Sequence, residues 1–231
     1  MYIKKLYRTV GINFISSEPA RYRLQDTGEK MKHRGQMAVT EINTKTKIFN
    51  VAARLIGRKG YNAVSMREIS EQSGVSKPTI YYHFNSKEGL YRQLFNSAIA
   101  YSDAQLNEIL TRDISVKEKL IELIKARFQQ TLKYPDFAKF FLQLFIFMED
   151  TPLSKQFQTE AIIRREILAK LIQEGINNKE FGFSVKAPIA VEILIGTLIH
   201  FIAQQLVSNK TILSDQLAEE IIEVLFKGLN E

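Results

Sequence analysis

The stretch Ser65–Leu90, SMREISEQSGVSKPTIYYHFNSKEGL, decides how the chain is read. Ser65-Met66-Arg67-Glu68 has the form of a capping box, with a hydroxyl placed to take the N–H three residues on and a glutamate placed to reach back. It opens a helix of about two turns that ends at Ser73-Gly74. Gly74 stands where a tight helix–helix turn demands the left-handed conformation, which glycine adopts without steric cost. Val75 sets an apolar side chain at the turn, facing a small core with Ile69 and Ile80. A second short helix opens after Ser76, with Pro78 in its first turn, where a missing N–H leaves nothing unpaired. It lies roughly perpendicular to the first and exposes Ser76, Lys77, Pro78 and Thr79 at its start. A helix presented in this way fits the major groove, and its first side chains reach base edges. Backbone amides at helix starts also bind phosphate, and such starts occur at Ser65, Ser76 and Ser86.

Working outward, the pattern stays helical. Ile48, Val51, Ala52, Leu55 and Ile56 fall at the spacing of one apolar helix face, and Gly60 sits where a C-terminal cap belongs. Ser86 caps a fourth, long helix through about Leu110. Further helices are predicted over about 116–133, from Pro135, over about 152–177, 188–208 and 214–229, with NNKEFGFSVKAP (177–188) as a break. Almost no strand-like alternation is present. The fold class is all-α: an N-terminal three-helix helix-turn-helix domain over 41–90 and a larger helical domain over 91–231.

The segment 65–90 and its flanks resemble the TetR (tetracycline repressor) family of bacterial regulators. The resemblance covers about residues 44–95. It is carried by Gly60-Tyr61, Ser65-x-x-x-Ile69, Ser73-Gly74-Val75-Ser76, Thr79-Ile80-Tyr81-Tyr82-His83-Phe84 and Ser86-Lys87-Glu88-Gly89-Leu90. Pro78 stands where glycine or alanine is commoner, and Gly89 where glutamate is commoner. The resemblance implies that Thr79 and Lys77 contact base edges and that Pro78 touches a thymine methyl. It implies that Tyr81 and Tyr82 offer phenols to phosphates, and that Ser65 and Lys87 anchor phosphates at helix starts. His83 is either a phosphate contact or a packed ring, and Phe84 belongs to the core. Simple packing between helices is the alternative for Tyr81 and Tyr82.

Charge agrees with this placement. Residues 1–95 carry 17 Lys/Arg against 7 Asp/Glu, whereas residues 96–231 carry 15 against 18. A basic first part on a slightly acidic remainder suits a protein that meets a polyanion at one end, although a solvated charged face gives the same count. Residues 1–40 form a basic extension without helical or strand periodicity, which is expected to begin only near Thr44. Three readings stay open for the extension: a start placed too early, with Met31 or Met37 the true initiator; a disordered basic arm that tracks DNA; or a small ordered piece.

The chain of 231 residues holds no cysteine, which excludes disulfides and thiolate metal sites and suits the cytoplasm. Its three histidines, His33, His83 and His200, are too dispersed in sequence for a metal site. No metal and no cofactor is expected. The most apolar stretch, 187–203, is interrupted by Glu192 and His200 and falls short of the ~20 residues of a membrane span. No catalytic constellation is visible, neither a Gly-rich phosphate loop nor a Ser/His/Asp arrangement, so an enzyme is not expected. The rival classes are an architectural or nucleoid-type DNA-binding protein without an effector, and an all-helical enzyme or carrier. A single palindromic site would favour the regulator, and many scattered ligand-insensitive sites the architectural protein.

Two features mark the C-terminal part. The last two predicted helices carry broad apolar faces that include Leu198, Ile202, Leu206, Ile221 and Leu225. A helix apolar nearly all round must be covered on two sides. The resemblance implies a homodimer in which these helices pair with their copies, and a purely internal core is the alternative. The second feature is an aromatic set, Phe128, Tyr134, Phe137, Phe140, Phe141, Phe145 and Phe147, which suits an apolar cavity for a small lipophilic effector. Tight core is the alternative there too. Arg127, Gln143 and His200 are the polar groups placed to orient such a ligand. The function expected is that of a ligand-responsive regulator, with two recognition helices on a palindromic duplex operator and a lipophilic effector that releases them.

Overall fold

The computed structural model describes residues 28–146, 152–181, 186–208 and 210–227, with side chains from Asn43 onward. Nine α-helices and no strand occur among the described residues. In chain order they are α1 (Gly28–Lys59), α2 (Met66–Ser73), α3 (Lys77–Phe84), α4 (Lys87–Leu110), α5 (Val116–Lys133), α6 (Pro135–Ile146), α7 (Pro152–Asn177), α8 (Ala187–Val207) and α9 (Asp215–Lys227). The chain forms two compact units, and the division falls after Ala100, inside α4. Residues 1–27 of the basic extension lie outside the described residues.

The first unit is built by local signals. Ile48, Val51, Ala52, Leu55 and Ile56 of α1 are all buried, as their spacing predicts. They meet Ile69 of α2, Ile80 and Phe84 of α3, and Leu90, Tyr91, Leu94 and Phe95 of α4 in a core of near-zero exposure. The Phe49 and Phe84 rings pack 5.5 Å apart. Full burial of each large aliphatic or aromatic side chain stabilises by about 1.5–3 kcal/mol. Gly60 ends α1 with positive φ, its N–H on the Ile56 carbonyl at 2.8 Å. One expectation is corrected: α1 begins at Gly28, well before Thr44. Periodicity detects a helix only where apolar residues mark one face, and the sequence of residues 28–42 carries no such spacing.

The second unit, from Tyr101 onward, is a bundle of α5–α9 with the end of α4. α7 packs along α8, α5 packs against α6, α7 and α9, and α6 also touches α7 and α8. Its core includes Leu120, Ile124 and Phe128 of α5, Leu171 and Ile172 of α7, and Val191 and Leu194 of α8. α5 starts with a complete capping box. The Ser115 hydroxyl accepts from Glu118 N–H at 3.1 Å, and the Glu118 carboxylate accepts from Ser115 N–H at 2.9 Å. These two contacts, the hydroxyl first, hold the Glu118 carboxyl below its usual pKa. After α7 the chain turns through Lys179, which has positive φ, and Phe181 stacks face to face on Phe226 of α9 at 3.6 Å. The α8–α9 connection is held by Gln205, whose side-chain oxygen accepts from Ile212 and Leu213 N–H at 2.7 and 3.1 Å.

Two expectations about α8 and α9 change. α8 runs 21 residues to Val207 and is long and apolar enough, by length and composition alone, to cross a membrane. Glu192 and His200 do not interrupt it, because both sit on its outward side. Ile202, Ile221 and Leu225, expected in a dimer seam, are instead buried inside the protomer. On α9 the residues Ile221, Ile222, Leu225 and Phe226 form one wide inward face rather than two separate stripes. Positions i, i+1, i+4 and i+5 share a single side of a helix, and α5 and α8 together cover it. Leu198 and Leu206 are half-buried against the same core.

Candidate functional site

In the first unit the site grows out of how α3 is anchored. Ser65 caps α2, its hydroxyl accepting from Glu68 N–H at 3.1 Å. Gly74 adopts φ 66° and ψ 15°, and its N–H closes α2 on the Ser70 carbonyl. Serine side chains then hold the turn: the Ser70 hydroxyl donates to the Val75 carbonyl at 2.7 Å, and Val75 N–H donates to the Ser73 hydroxyl at 3.3 Å. Val75 itself is half-buried, so the turn rests more on these bonds than on its apolar side chain. Ser76 caps α3 through Thr79 N–H at 3.3 Å, and its hydroxyl lies 2.7 Å from the Thr79 hydroxyl. Such caps contribute about 0.5–2 kcal/mol each.

Ile80 and Phe84, one turn apart, fasten α3 to the core, and this orients the rest of the helix. Ser76, Lys77, Pro78, Tyr81 and Tyr82 are exposed, and Thr79 is half-buried. Tyr82 is 82% exposed and Tyr81 39%, so neither phenol is a packing residue of the protomer core. The Lys77 ammonium stands over the Tyr81 ring at 5.9 Å. The His83 ring is half-buried between Tyr82 and Phe84, with centroids 5.2 and 6.0 Å away. The structure thus brings Lys77, Pro78, Tyr81 and Tyr82 onto one outward surface, with Thr79 beside them, and leaves His83 as a packed ring at its edge.

Lys87, at the start of α4, is joined to residues that sequence reasoning overlooked. Its ammonium donates to the Asn62 carbonyl at 3.4 Å and sits 4.3 Å over the Tyr61 ring. Burial, then the nearby Glu88 charge, raises the Tyr61 pKa. Gly60-Tyr61 was legible as a helix end, but nothing in the spacing linked it to Lys87 across 26 residues. Lys59 of α1 pairs with Glu68 of α2 at 2.6 Å, which neutralises one of the head's cations. Gly89 makes a close approach: a Cβ there would collide with the Phe84 carbonyl.

In the second unit the expected ligand residues separate. Phe128 is fully buried in the core. Phe141 and Phe145 flank the Phe157 ring of α7, at 6.3 and 6.5 Å, and Phe137 packs edge-on to Tyr134 at 6.2 Å. Gln143 is half-buried on α6. His200 is exposed on α8 with its ring against Phe201, so it does not line the interior expected for it. The outward position follows from the helical period, since the buried residues Val191, Leu194 and Ile202 define the opposite side. Arg127 is enclosed by protein and donates to Gln130 at 2.9 Å and to the Ser102 hydroxyl at 3.3 Å. Burial, then the neighbouring Arg164 cation, lowers its pKa to about 10, which leaves it charged near neutral pH. A recess of about 300 Å³ is lined by Gln105, Glu108, Arg112, Glu122, Lys125 and Asp215 among others, and it shares no residue with the expected aromatic cavity. No cluster of metal-ligating side chains occurs among the described residues.

Comparison with known proteins places these observations. Residues 48–94 match the model of the bacterial regulatory proteins, tetR family, which spans α1 through α4 of the head. The chain is 22% identical over 183 residues to the fatty acid metabolism regulator protein of Bacillus subtilis, covering 79% of this chain and 94% of that protein. It is 44% identical over 55 residues to the regulator QacR of Staphylococcus aureus, which covers 24% of this chain and 29% of that protein. It shares its fold with the transcriptional regulator FadR from Bacillus subtilis, solved in complex with stearoyl-CoA, at a TM-score of 0.65 and 22% identity over 79% of this chain and 98% of that one. With an outward α3 held by caps, turn and core as described, residues 48–94 form a DNA-binding head of the tetR family, and the chain as a whole is similar to transcriptional regulators that carry such a head.

Proposed function

We propose that the protein is a homodimeric, ligand-responsive repressor that reads a palindromic operator in the cytoplasm. The observation that carries the DNA-reading assignment is the outward face of α3, where Lys77, Pro78, Tyr81 and Tyr82 surround Thr79 on a helix fastened by Ile80 and Phe84. Thr79 and Lys77 contact base edges, and Pro78 meets a thymine methyl. Tyr81, Tyr82, Ser65 and Lys87 position the head on phosphates. Ser76 offers the α3 start to a phosphate, and His83 steadies the Tyr82 ring. Two heads of a dimer enter successive major grooves about 34–36 Å apart. A selection of binding sites from random duplexes tests the reading: a recovered two-fold symmetric site supports it, and recovery of unrelated sequences rejects it.

The dimer face moves outward from the seam read in the sequence. On α8 the exposed stripe holds Ile189, Ile193, Gly196, His200 and Val207, and on α9 the exposed apolar side chain is Val224. A second copy covering this stripe accounts for the apolar surface better than water does. Light scattering on the full chain reads the state directly.

The effector is lipophilic. The aromatic set of α6 and α7 supports this, as does the likeness to a regulator named for fatty acid metabolism and to a fold solved with stearoyl-CoA. A ligand that releases DNA must bind the DNA-free state more tightly, and DNA must weaken the ligand by the same factor. Release of a labelled operator by long-chain acyl compounds, and no release by short-chain ones, is the expected outcome.

A further inference from the structure

We infer that Arg127, flanked by Ser102 and Gln130, is an anion-recognition point inside the effector unit, placed to take an acidic oxygen of an otherwise apolar effector. This rests on the lipophilic-effector reading and adds the chemistry of the ligand's polar end.

A buried guanidinium ordinarily has a carboxylate beside it, because an uncompensated charge in the interior is costly. The acid next in sequence to Ser102, Asp103 on α4, is engaged elsewhere. Asp103 is itself buried, and its Oδ1 accepts from Arg164 of α7 at 2.7 Å. The Arg164 cation near Arg127 thus has an acid of its own, whereas Arg127 makes its hydrogen bonds to neutral oxygens: Gln130 Oε1 at 2.9 Å and the Ser102 hydroxyl at 3.3 Å. No carboxylate among the described residues bonds to Arg127. A guanidinium has five N–H donors, and these contacts leave some of them for another acceptor. The Thr131 hydroxyl turns to the Arg127 backbone carbonyl and offers the side chain nothing.

Position and surroundings point the same way. Arg127 is enclosed by the unit, yet the residue keeps part of its surface accessible. A guanidinium so placed is largely withdrawn from water and still has an accessible edge. Phe128 follows Ile124 by one turn in the apolar face of the same helix, and α5 packs directly against α6, which carries the Phe137–Phe145 set. The matching ligand has an apolar body and one anionic group. A fatty carboxylate and an acyl thioester with phosphates both carry such oxygens.

Binding of oleate, oleyl alcohol and oleoyl-CoA to the full chain, measured by isothermal titration, tests the inference. Wild type is expected to bind oleate or oleoyl-CoA about 10- to 100-fold more tightly than oleyl alcohol, the worth of a charge-assisted hydrogen bond. Arg127→Met should bring the preferred anion within about threefold of the alcohol, a residue of tenfold discrimination removed with the charge. Preference for oleate identifies the carboxylate as the partner, and preference for oleoyl-CoA alone identifies a phosphate. The variant without ligand should melt at or above the wild-type temperature, because no ion pair is lost. Equal binding of acid, CoA ester and alcohol by wild type would overturn the inference and leave the lipophilic effector standing. Discrimination that survives in Arg127→Met, or a marked fall in its melting temperature, would overturn it by making Arg127 a structural brace. Failure of all three compounds to bind would reject the lipophilic-effector reading along with it. The wild-type comparison needs no variant, so a poorly folding Arg127→Met protein does not shield the idea.

Discussion

The two units are both helical, yet they are organised by different distances along the chain. In the head, the start and turn of the reading helix are set within a few residues: Ser65 caps Glu68, Ser70 and Ser73 tie the turn at Val75, and Ser76 caps Thr79. In the effector unit the deciding contacts are remote. Lys117 N–H is accepted by Glu180, Lys125 reaches Glu219, and Phe181 stacks on Phe226. A locally specified element keeps its geometry when its neighbours change, which suits a reading head. A remotely specified bundle can exchange one packing for another, which suits a sensor.

The contrast is sharpest at α9, and it gives the largest expected effect. Leu225→Glu forces a charge into the protomer core and should cost at least about 3 kcal/mol, so that the protein is lost or melts far lower. Val224→Glu, one position along on a side chain 72% exposed, should keep the fold and yield a monomer. Thermal melts with light scattering separate the two outcomes. A folded monomer from Leu225→Glu would return the seam to that residue and break the assignment of faces.

Next comes the anchor of the reading helix. Ile80→Ala removes a fully buried side chain and should destabilise the head by about 2–5 kcal/mol. Phe141→Ala, at a half-buried position of the effector unit, should cost less and should change the ligand response more than the DNA affinity. Equal losses from both, measured by denaturant titration, would mean that the aromatic set is packed as tightly as the head.

A smaller effect is expected on the surface of α3. Lys77→Ala should leave the melting temperature within a degree or two of wild type, since surface substitutions usually change stability by less than ~0.5 kcal/mol. It should weaken operator binding and relax sequence preference, because Lys77 is assigned to a base edge. Tyr82→Ala should weaken specific and random duplexes alike. Fluorescence anisotropy on both duplexes decides; equal affinity for Tyr82→Ala and wild type would dismiss its phosphate contact.

The smallest effect is a local one inside the remotely organised unit. The Glu118 carboxyl is held below its ordinary value of 4.5 by the Ser115 hydroxyl and N–H. A depressed folded pKa means that the stabilisation is present above the unfolded value and fades as pH falls through the folded one. The gap in melting temperature between wild type and Glu118→Gln should therefore be small at pH 7 and close in acid. A gap that widens below pH 4 would contradict the capping role.

Legibility followed the same division. The capped turn was readable because its partners lie within a turn or two, and the buried face of α1 because its apolar residues keep one helical spacing. The outward stripe of α3 was readable because Ile80 and Phe84 mark its inner side. The start of α1 was not, because residues 28–42 carry no apolar rhythm in the sequence. The inner and outer sides of α9 were not either: Ile221, Ile222, Val224, Leu225 and Phe226 are all apolar, and hydropathy alone does not say which of them meets α5.

By itself the sequence determined an all-helical chain, a basic reading head and the residues that face away from its core, since caps, glycine turns and helical spacing act locally and leave few alternatives. Tertiary structure alone decided that Leu225 lies within the protomer, that His200 points outward, that Lys87 rests on Tyr61, and that Asp103 binds Arg164 while Arg127 bonds to no acid among the described residues. Each of these depends on which of several chemically equivalent partners the packing of distant helices brings within reach, and that choice is made by the summed burial of the whole unit rather than by any short run of residues.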